Sequence, residues 1–327
     1  MKSKYAIKKP FYKQAFPMTI FILLIIYVIS FLTPFIWAVL TSANSDALYG
    51  DNTYIIPEDS FGLRLLKIFY VPRTVYFYNS EGEIFNTAAG FTFDNYAWAI
   101  ENFKIEGDSG NFTGFWGLIL NSLIYTVVAT LITTTTHAVS AYVAARYSHH
   151  KIAAILYPIV IVTMILPIVG ALPSELNMMR NMGWYDRVWG LWLMKGGFLG
   201  TNFLIFYATF KGISWEYAEA AFVDGASHLR VLVQIMVPLA AGSIGALMLI
   251  TFISYWNDWK VNVQYLPTTW PMISFALFRF QGDGGIKGIN TPKRMAACII
   301  VATPLIIIFL IFRKKLMGNL TIGGIKG

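Results

Sequence analysis

The sequence predicts an all-α membrane protein with six transmembrane helices. Both termini are cytoplasmic, a sizeable extracytoplasmic segment follows the first span, and a cytoplasmic helical turn separates the fourth and fifth. Three observations carry this reading. Of 327 residues, 56% are hydrophobic and 13% charged, about half the charge of an average soluble domain. Six stretches approach the roughly 20 apolar residues that a crossing needs. The basic residues collect beside alternate loops, as the positive-inside rule requires.

The elements follow in order. Residues 1–40 hold a lysine-rich start and the first span, Pro17–Leu40. That run exceeds the ~7–15 residues of a signal-peptide core and lacks a small-residue cleavage site, so it reads as a retained helix. Residues 41–114 are rich in turn formers and aromatics and too long for a plain connector. They read either as a small extracytoplasmic cap or docking surface, or as a segment packed over the span ends. Residues 115–312 form a five-helix core, with spans at Phe115–Ala144, Ile152–Leu172, Val188–Phe210, Val237–Trp256 and Met295–Phe312. The third contains Pro158 and Pro167, which break or kink a helix. Lys195 interrupts the fourth, where it is read as snorkelling outward. Residues 313–327 are a cytoplasmic tail.

With the N-terminus inside, the inner segments hold thirteen basic and three acidic residues, a balance of +10, and the remainder sums to −2. The loop after span five resists, carrying Lys260, Arg279, Lys287, Lys293 and Arg294 on the outer side. The N-terminal lysines and Arg313-Lys314-Lys315 outweigh it. The net charge of +8 is thus assigned to topology, and nucleic acid is not an expected partner. The chain belongs in the cell membrane as a multi-pass protein.

Between Ser214 and Pro238, within the cytoplasmic loop 211–237, the pattern predicts two short helices. Ser214 suits an N-cap, and Glu216 and Glu219 place negative charge in the first turns. Ala218, Ala220 and Ala221 keep one face thin. Gly225 suits the left-handed residue that ends a helix, and Ser227 suits the next N-cap. Leu229, Leu232, Val233 and Met236 recur at helical spacing, and Pro238 fits a first helical turn. A thin helix with exposed carboxylates can enter a groove on another protein.

Enzyme chemistry finds no support. Cys298 is the single cysteine, and the four histidines show no ligand spacing. No P-loop occurs, and the predicted spans contain no Asp or Glu. A membrane-embedded enzyme or secondary carrier, the alternative class, needs such carboxylates.

The run Glu219-Ala220-Ala221, Gly225, Ile235, Val237-Pro238 resembles the EAA loop of binding-protein-dependent ATP-binding-cassette importer permeases. Asp224-Gly225-Ala226 is similar to the version in maltose-type carbohydrate permeases. Asn121-Ser122, Ala141-Tyr142 and Ala145-Arg146 resemble that family's second-span signature. "YWNDW" at 255–259 resembles its Trp-Asn-Glu, with Asp258 in the acidic place. The tail with Gly323, Gly324, Lys326 and Gly327 is similar to that of the second permease subunit. The resemblance covers residue 110 onward and implies that Glu216, Glu219, Ala220, Ala221, Asp224 and Gly225 couple the spans to an ATPase. It implies as partners a second permease subunit, an ATP-binding subunit dimer and an extracytoplasmic solute-binding protein. ATP and magnesium are then bound by the ATPase and no cofactor by this chain. The cargo is expected to be a carbohydrate, with glycerol phosphate, an acidic saccharide or a peptide as alternatives.

Polar groups within spans are the candidates for a substrate path: Asn121, Asn202, Trp256 and Asn257. Trp256, Asn257 and Trp259 fit an aromatic belt better than a sugar-stacking site. The threonines of the run Thr133–Thr136 are expected to bond back to their own helix, and His137 to pack at an interface.

Overall fold

The computed structural model describes residues 11–43, 73–78, 84–89, 92–107, 110–166, 170–282 and 289–320. It divides into two compact units, residues 1–100 with 285–300, and residues 101–284 with 301–327.

In the first unit, α1 (Phe11–Ser42) is apolar on every side and carries Pro17 and Pro34 within it. Its side chains from Met18 to Ile36 are exposed, as suits a helix that is not amphipathic. Its last turn is tied down. The Asn95 amide donates to the Ser42 carbonyl at 3.0 Å, and the Ser42 and Tyr96 hydroxyls share a bond of 2.6 Å. Asn95 and Tyr96 belong to α2 (Asp94–Asn102). An antiparallel hairpin, β1 (Arg73–Tyr78) with β2 (Ile84–Ala89), pairs Arg73 with Ala89 through Tyr78 with Ile84. The all-α expectation omitted this hairpin. It omitted also β3 (Ile105–Glu106) with β4 (Phe112–Thr113) in the second unit.

The second unit is organised on α3 (Phe115–Arg146), 32 residues long. Apart from Leu118 and His137 its buried positions are small or hydroxylated, Ser122, Thr126, Ala129, Thr130, Thr133, Ala138 and Ala141 among them. Such residues let neighbouring helices approach closely in an apolar medium, and α7 (Thr201–Gly212) and α10 (Ala241–Trp256) pack along it.

Elsewhere the predicted spans are shorter or broken. Helices long and apolar enough to cross alone are Pro17–Ser42, Phe115–Arg146 and Thr291–Phe312, the last within α13 (Thr291–Leu320). The third predicted span is a 15-residue helix, α4 (Lys151–Ile165). Pro158 lies inside it without ending it; Pro167 falls outside the described residues. After Gly170 the chain turns into the separate helix α5 (Ala171–Asn181). The fourth predicted span, Val188–Phe210, is not one helix. It splits into α6 (Val188–Met194) and α7 around Lys195–Gly200. Gly196 and Gly197 withdraw helix propensity there, and Gly200 sits at φ 139°, a backbone state that a side chain would oppose.

The fifth predicted span begins with a bend. Helix α8 (Glu216–Val223) is followed by α9 (His228–Leu239), which meets α10 at 78°. Within α9, Leu232–Met236 form a π turn, closed by the Val237 N–H on the Leu232 carbonyl. Pro238 has no N–H to give the Gln234 carbonyl, so the ladder widens ahead of it and turns at Ala240.

The helices α11 (Lys260–Gln264) and α12 (Ile273–Gln281) flank a loop held by Asp186. Asp186 is a non-glycine residue at φ 56°. Its carboxylate accepts from the Thr268 and Thr269 N–H groups, each at 3.2 Å, and from both threonine hydroxyls. Its own N–H donates to the Tyr265 carbonyl at 2.9 Å. Charge-assisted bonds hold a backbone conformation that is otherwise unfavourable for a side chain. Asp186→Ala is therefore expected to lower stability by about 2 kcal/mol or more. Asp186→Asn should cost less, since asparagine tolerates positive φ and keeps one acceptor oxygen. Thermal unfolding midpoints in detergent check the order; equal midpoints for all three proteins contradict it.

Candidate functional site

Helix α8 begins where the Ser214 hydroxyl accepts the Glu216 N–H at 3.3 Å. It ends at Gly225, φ 79°, whose N–H donates to the Phe222 carbonyl while the Ala226 N–H reaches the Ala221 carbonyl at 2.9 Å. This is the left-handed cap expected of Gly225. Ser227 then caps α9, its hydroxyl accepting the Arg230 N–H. The sequence order Gly-Ala-Ser thus builds a sharp turn between two short helices.

One face of this turn is buried by Ala218, Val231 and Met236, with Ala221, Phe222 and Leu232 packed against them. The expected stripe of Leu229, Leu232, Val233 and Met236 does not face one way. Leu229 is 70% exposed and Val233 55%, because the π turn changes the phase of the helix within the stripe. Glu216, Glu219, Ala220, Asp224 and Gly225 are exposed. Beside them stand the displaced Leu229 and two apolar side chains that the sequence reading did not single out: Tyr217, and Val223, the last 88% exposed. A charged rim around exposed apolar groups is the surface of a docking element. Their signal was present, in apolar residues at polar-facing helical positions.

The turn is moored to the C-terminal end of α3. Arg146 donates to the carbonyls of Phe210 and Ile213, where α7 stops, and lies 5.2 Å from the Trp215 ring centroid. The Tyr147 hydroxyl bonds His228 Nδ1 at 2.7 Å, and the His228 ring meets Phe222 edge-on at 4.9 Å. Both bonds leave the same nitrogen, Nη2, so the group that holds the turn is one donor corner of a guanidinium lying against the Trp215 ring.

The candidates for a substrate path are not brought together. The Asn121 amide donates to the Pro271 carbonyl at 3.0 Å, fixing the start of α12. Asn202 donates to the Thr251 hydroxyl at 3.2 Å. Trp256 is 1% exposed, donating from Nε1 to the Val301 carbonyl, so it serves the core and not a belt. Asn257 is exposed and bonds back to Ile253. In the threonine run, Thr136 bonds back to Ile132, whereas Thr133 bonds outward, to the Lys195 carbonyl at 3.1 Å and the Tyr255 hydroxyl at 2.8 Å. His137 is buried, with Nδ1 2.7 Å from the Thr133 carbonyl. Lys195 does not simply snorkel: its ammonium lies 4.8 Å from the Tyr255 ring centroid.

An apolar groove of about 540 Å³, lined among others by Leu131, Pro238, Met248 and Phe252, offers a polar cargo few hydrogen bonds. Among the described residues no group of His, Cys, Asp and Glu is placed to hold a metal ion. The tail residues Gly323, Gly324, Lys326 and Gly327 lie outside the described residues.

The family model described as "binding-protein-dependent transport system inner membrane component" matches residues 137–316, more than half of the chain and all of the helical turn. The chain belongs to that family. It is a multi-pass membrane permease of a binding-protein-dependent transport system and not an enzyme. The trehalose transport system permease protein SugB of Mycobacterium tuberculosis is 28% identical over 240 residues, covering 72% of this chain and 82% of its own. The sn-glycerol-3-phosphate transport system permease protein UgpE of Escherichia coli is 27% identical over 230 residues, covering 68% and 78%. A chain of a bacterial ATP-binding-cassette transporter involved in importing the acidic polysaccharide alginate has the same fold. It is 20% identical, with a TM-score of 0.67 over 95% of this chain and 99% of that one.

The mooring yields a prediction that needs no partner. In Arg146→Met, both carbonyls lose their donor and the turn should open locally more often. Trypsin should then cut at Lys211 or Arg230 several-fold faster than in the native permease. Equal cleavage rates would show that the guanidinium does not hold the turn.

Proposed function

We propose that this permease is the second of two membrane subunits in an ATP-binding-cassette importer whose cargo is a carbohydrate, an oligosaccharide or glycoside. Six crossings with both termini cytoplasmic are part of the reading: α4, the pair α6 and α7, and the bent pair α9 and α10 each take the chain across once. An extracytoplasmic binding protein delivers the cargo. A similar permease completes the path, and a dimer of ATP-binding subunits holds the ATP and magnesium.

The observation that supports this most is the turn at Gly225. It presents Glu216, Glu219, Ala220 and Asp224 to solvent on a helix whose other side is packed on the spans, as a plug for an ATPase groove requires. Ala221, half-buried, lets that helix lie close to its own spans. Closure of the ATPases displaces the plug, and the mooring through Arg146 and Tyr147 carries the displacement into α3. The tail residues Gly323, Gly324, Lys326 and Gly327 belong to the same cytoplasmic contact. The carbohydrate reading draws on relatives whose named cargoes include trehalose and on the maltose-type form of the motif.

A side chain at Gly225 must adopt positive φ, costing roughly 1–2 kcal/mol of local strain. Gly225→Val should therefore insert normally but couple poorly, with uptake falling about ten-fold and the ATPase detaching in detergent. Glu219→Lys should act alike by reversing charge on the plug. Near-normal uptake by both variants, with the ATPase still bound, would reduce this stretch to a surface turn.

The topology has its own measurement. In a Cys298→Ala background, a cysteine at Asn86 should react with an impermeant reagent from outside and one at Lys2 only after permeabilisation. The reverse pattern inverts the chain and removes the plug from the ATPase side.

A further inference from the structure

The second unit holds a cluster that the turn at Gly225 does not use. It gathers where α6 breaks and α10 ends. Lys195 rests on the Tyr255 ring, within electrostatic reach of Asp258 and Glu175. Glu175 accepts from the Tyr265 hydroxyl at 2.7 Å, whereas the Asp258 carboxylate has no hydrogen bond among the described residues. Two donors nearby are stranded. The Tyr125 side chain is 0% exposed and its hydroxyl has no partner, although Tyr125 lies edge-on to Tyr255 at 6.2 Å and within electrostatic reach of Asp258 and Tyr265. The indole N–H of Trp192, packed against the same core, is also buried without a partner. Nine buried side-chain atoms among the described residues lack a hydrogen-bond partner, and these two belong to the core that also holds Tyr255, the ring on which Lys195 rests; each such group calls for a missing partner.

We propose that this cluster is a hydroxyl-binding subsite for a neutral saccharide, contributed by this chain to the cargo path. The inference rests on the importer reading above. Sugars present vicinal hydroxyls that donate to carboxylates and accept from ammonium, phenol and indole groups, and C–H faces that lie on aromatic rings. Asp258, Lys195, Tyr125, Trp192 and Tyr255 supply each of these. The charges set the class of cargo: one cation stands against two carboxylates, so a uronate or phosphate gains no uncompensated positive charge here.

The experiment uses the assembled transporter in proteoliposomes with its binding protein, and a panel of neutral and anionic saccharides as probes. Tyr125→Phe keeps the ring and removes only the stranded hydroxyl, and Asp258→Asn removes the charge. Each should raise the half-saturating concentration of the transported neutral saccharide about five-fold or more, the loss of one hydrogen bond. Thr163→Ala, which removes a hydroxyl that bonds back to the Val160 carbonyl within α4, should leave it unchanged. If a neutral probe is carried with the same half-saturation by both variants, or if transport is confined to anionic probes, the subsite is wrong. Transport of the same probe that continues without ATP or without the binding protein instead overturns the importer reading.

Discussion

Half-way along α3 the Thr133 hydroxyl meets the carbonyl of Lys195 at 3.1 Å, and that bond displays the constraint under which the rest of the molecule is built. Hydrocarbon offers no water to a backbone group that has lost its helical partner, so an interruption survives only where the protein supplies one. The fourth apolar stretch is interrupted at Lys195–Gly200 and lies against α3 where the hydroxyls of Thr133 and Thr136 point at it. Thr136 reaches the Gly197 carbonyl at 3.4 Å.

The same solution recurs at both ends of α3. At its N-terminal end, Ser122 receives the Ile273 N–H at 2.8 Å and Asn121 donates to the Pro271 carbonyl, closing the start of α12. At its C-terminal end, Arg146 serves the carbonyls of Phe210 and Ile213, where α7 stops. One unbroken helix thus serves one chain break and two helix ends, with a hydroxyl, an amide or a guanidinium at each. Ser122, Thr133 and Thr136 carry such bonds, whereas the hydroxyls of Thr126, Thr130 and Thr134 are buried without a partner.

The local features of this design were legible in the sequence and the tertiary ones were not. Gly225, Ser227 and the negative first turn of α8 act through neighbours within five residues, so the chain alone announces them. The split of the fourth stretch had a signal in Lys195-Gly196-Gly197, yet hydropathy summed over twenty residues averages a breaker away. The phase change in α9 depends on a proline six residues past Leu232, which alters the ladder behind it and not the composition. Asn121, Asn202 and Trp256 were chosen as costly polar groups in spans. That principle is sound, but it cannot distinguish a group satisfied by a backbone 45 or 150 residues away from one waiting for a ligand. Burial without a partner bears on that distinction, and in the core that holds Tyr255 it marks Tyr125 and Trp192, aromatic residues that a sequence reading takes for core.

These two kinds of site lie on one element. Tyr125 and Arg146 are both residues of α3, twenty-one positions apart, or about 30 Å along a helix rising 1.5 Å per residue. The helix between them carries no proline or glycine, and the groups that brace it, on α7 and α10, grip it along its length. A rod so placed cannot bend locally to absorb a push. A displacement delivered at the Arg146 end must either move Tyr125 with it or break the bonds to Lys195 and Gly197 that it passes on the way. Those bonds are therefore both what lets the neighbouring helices break and what a moving α3 has to exchange or carry along.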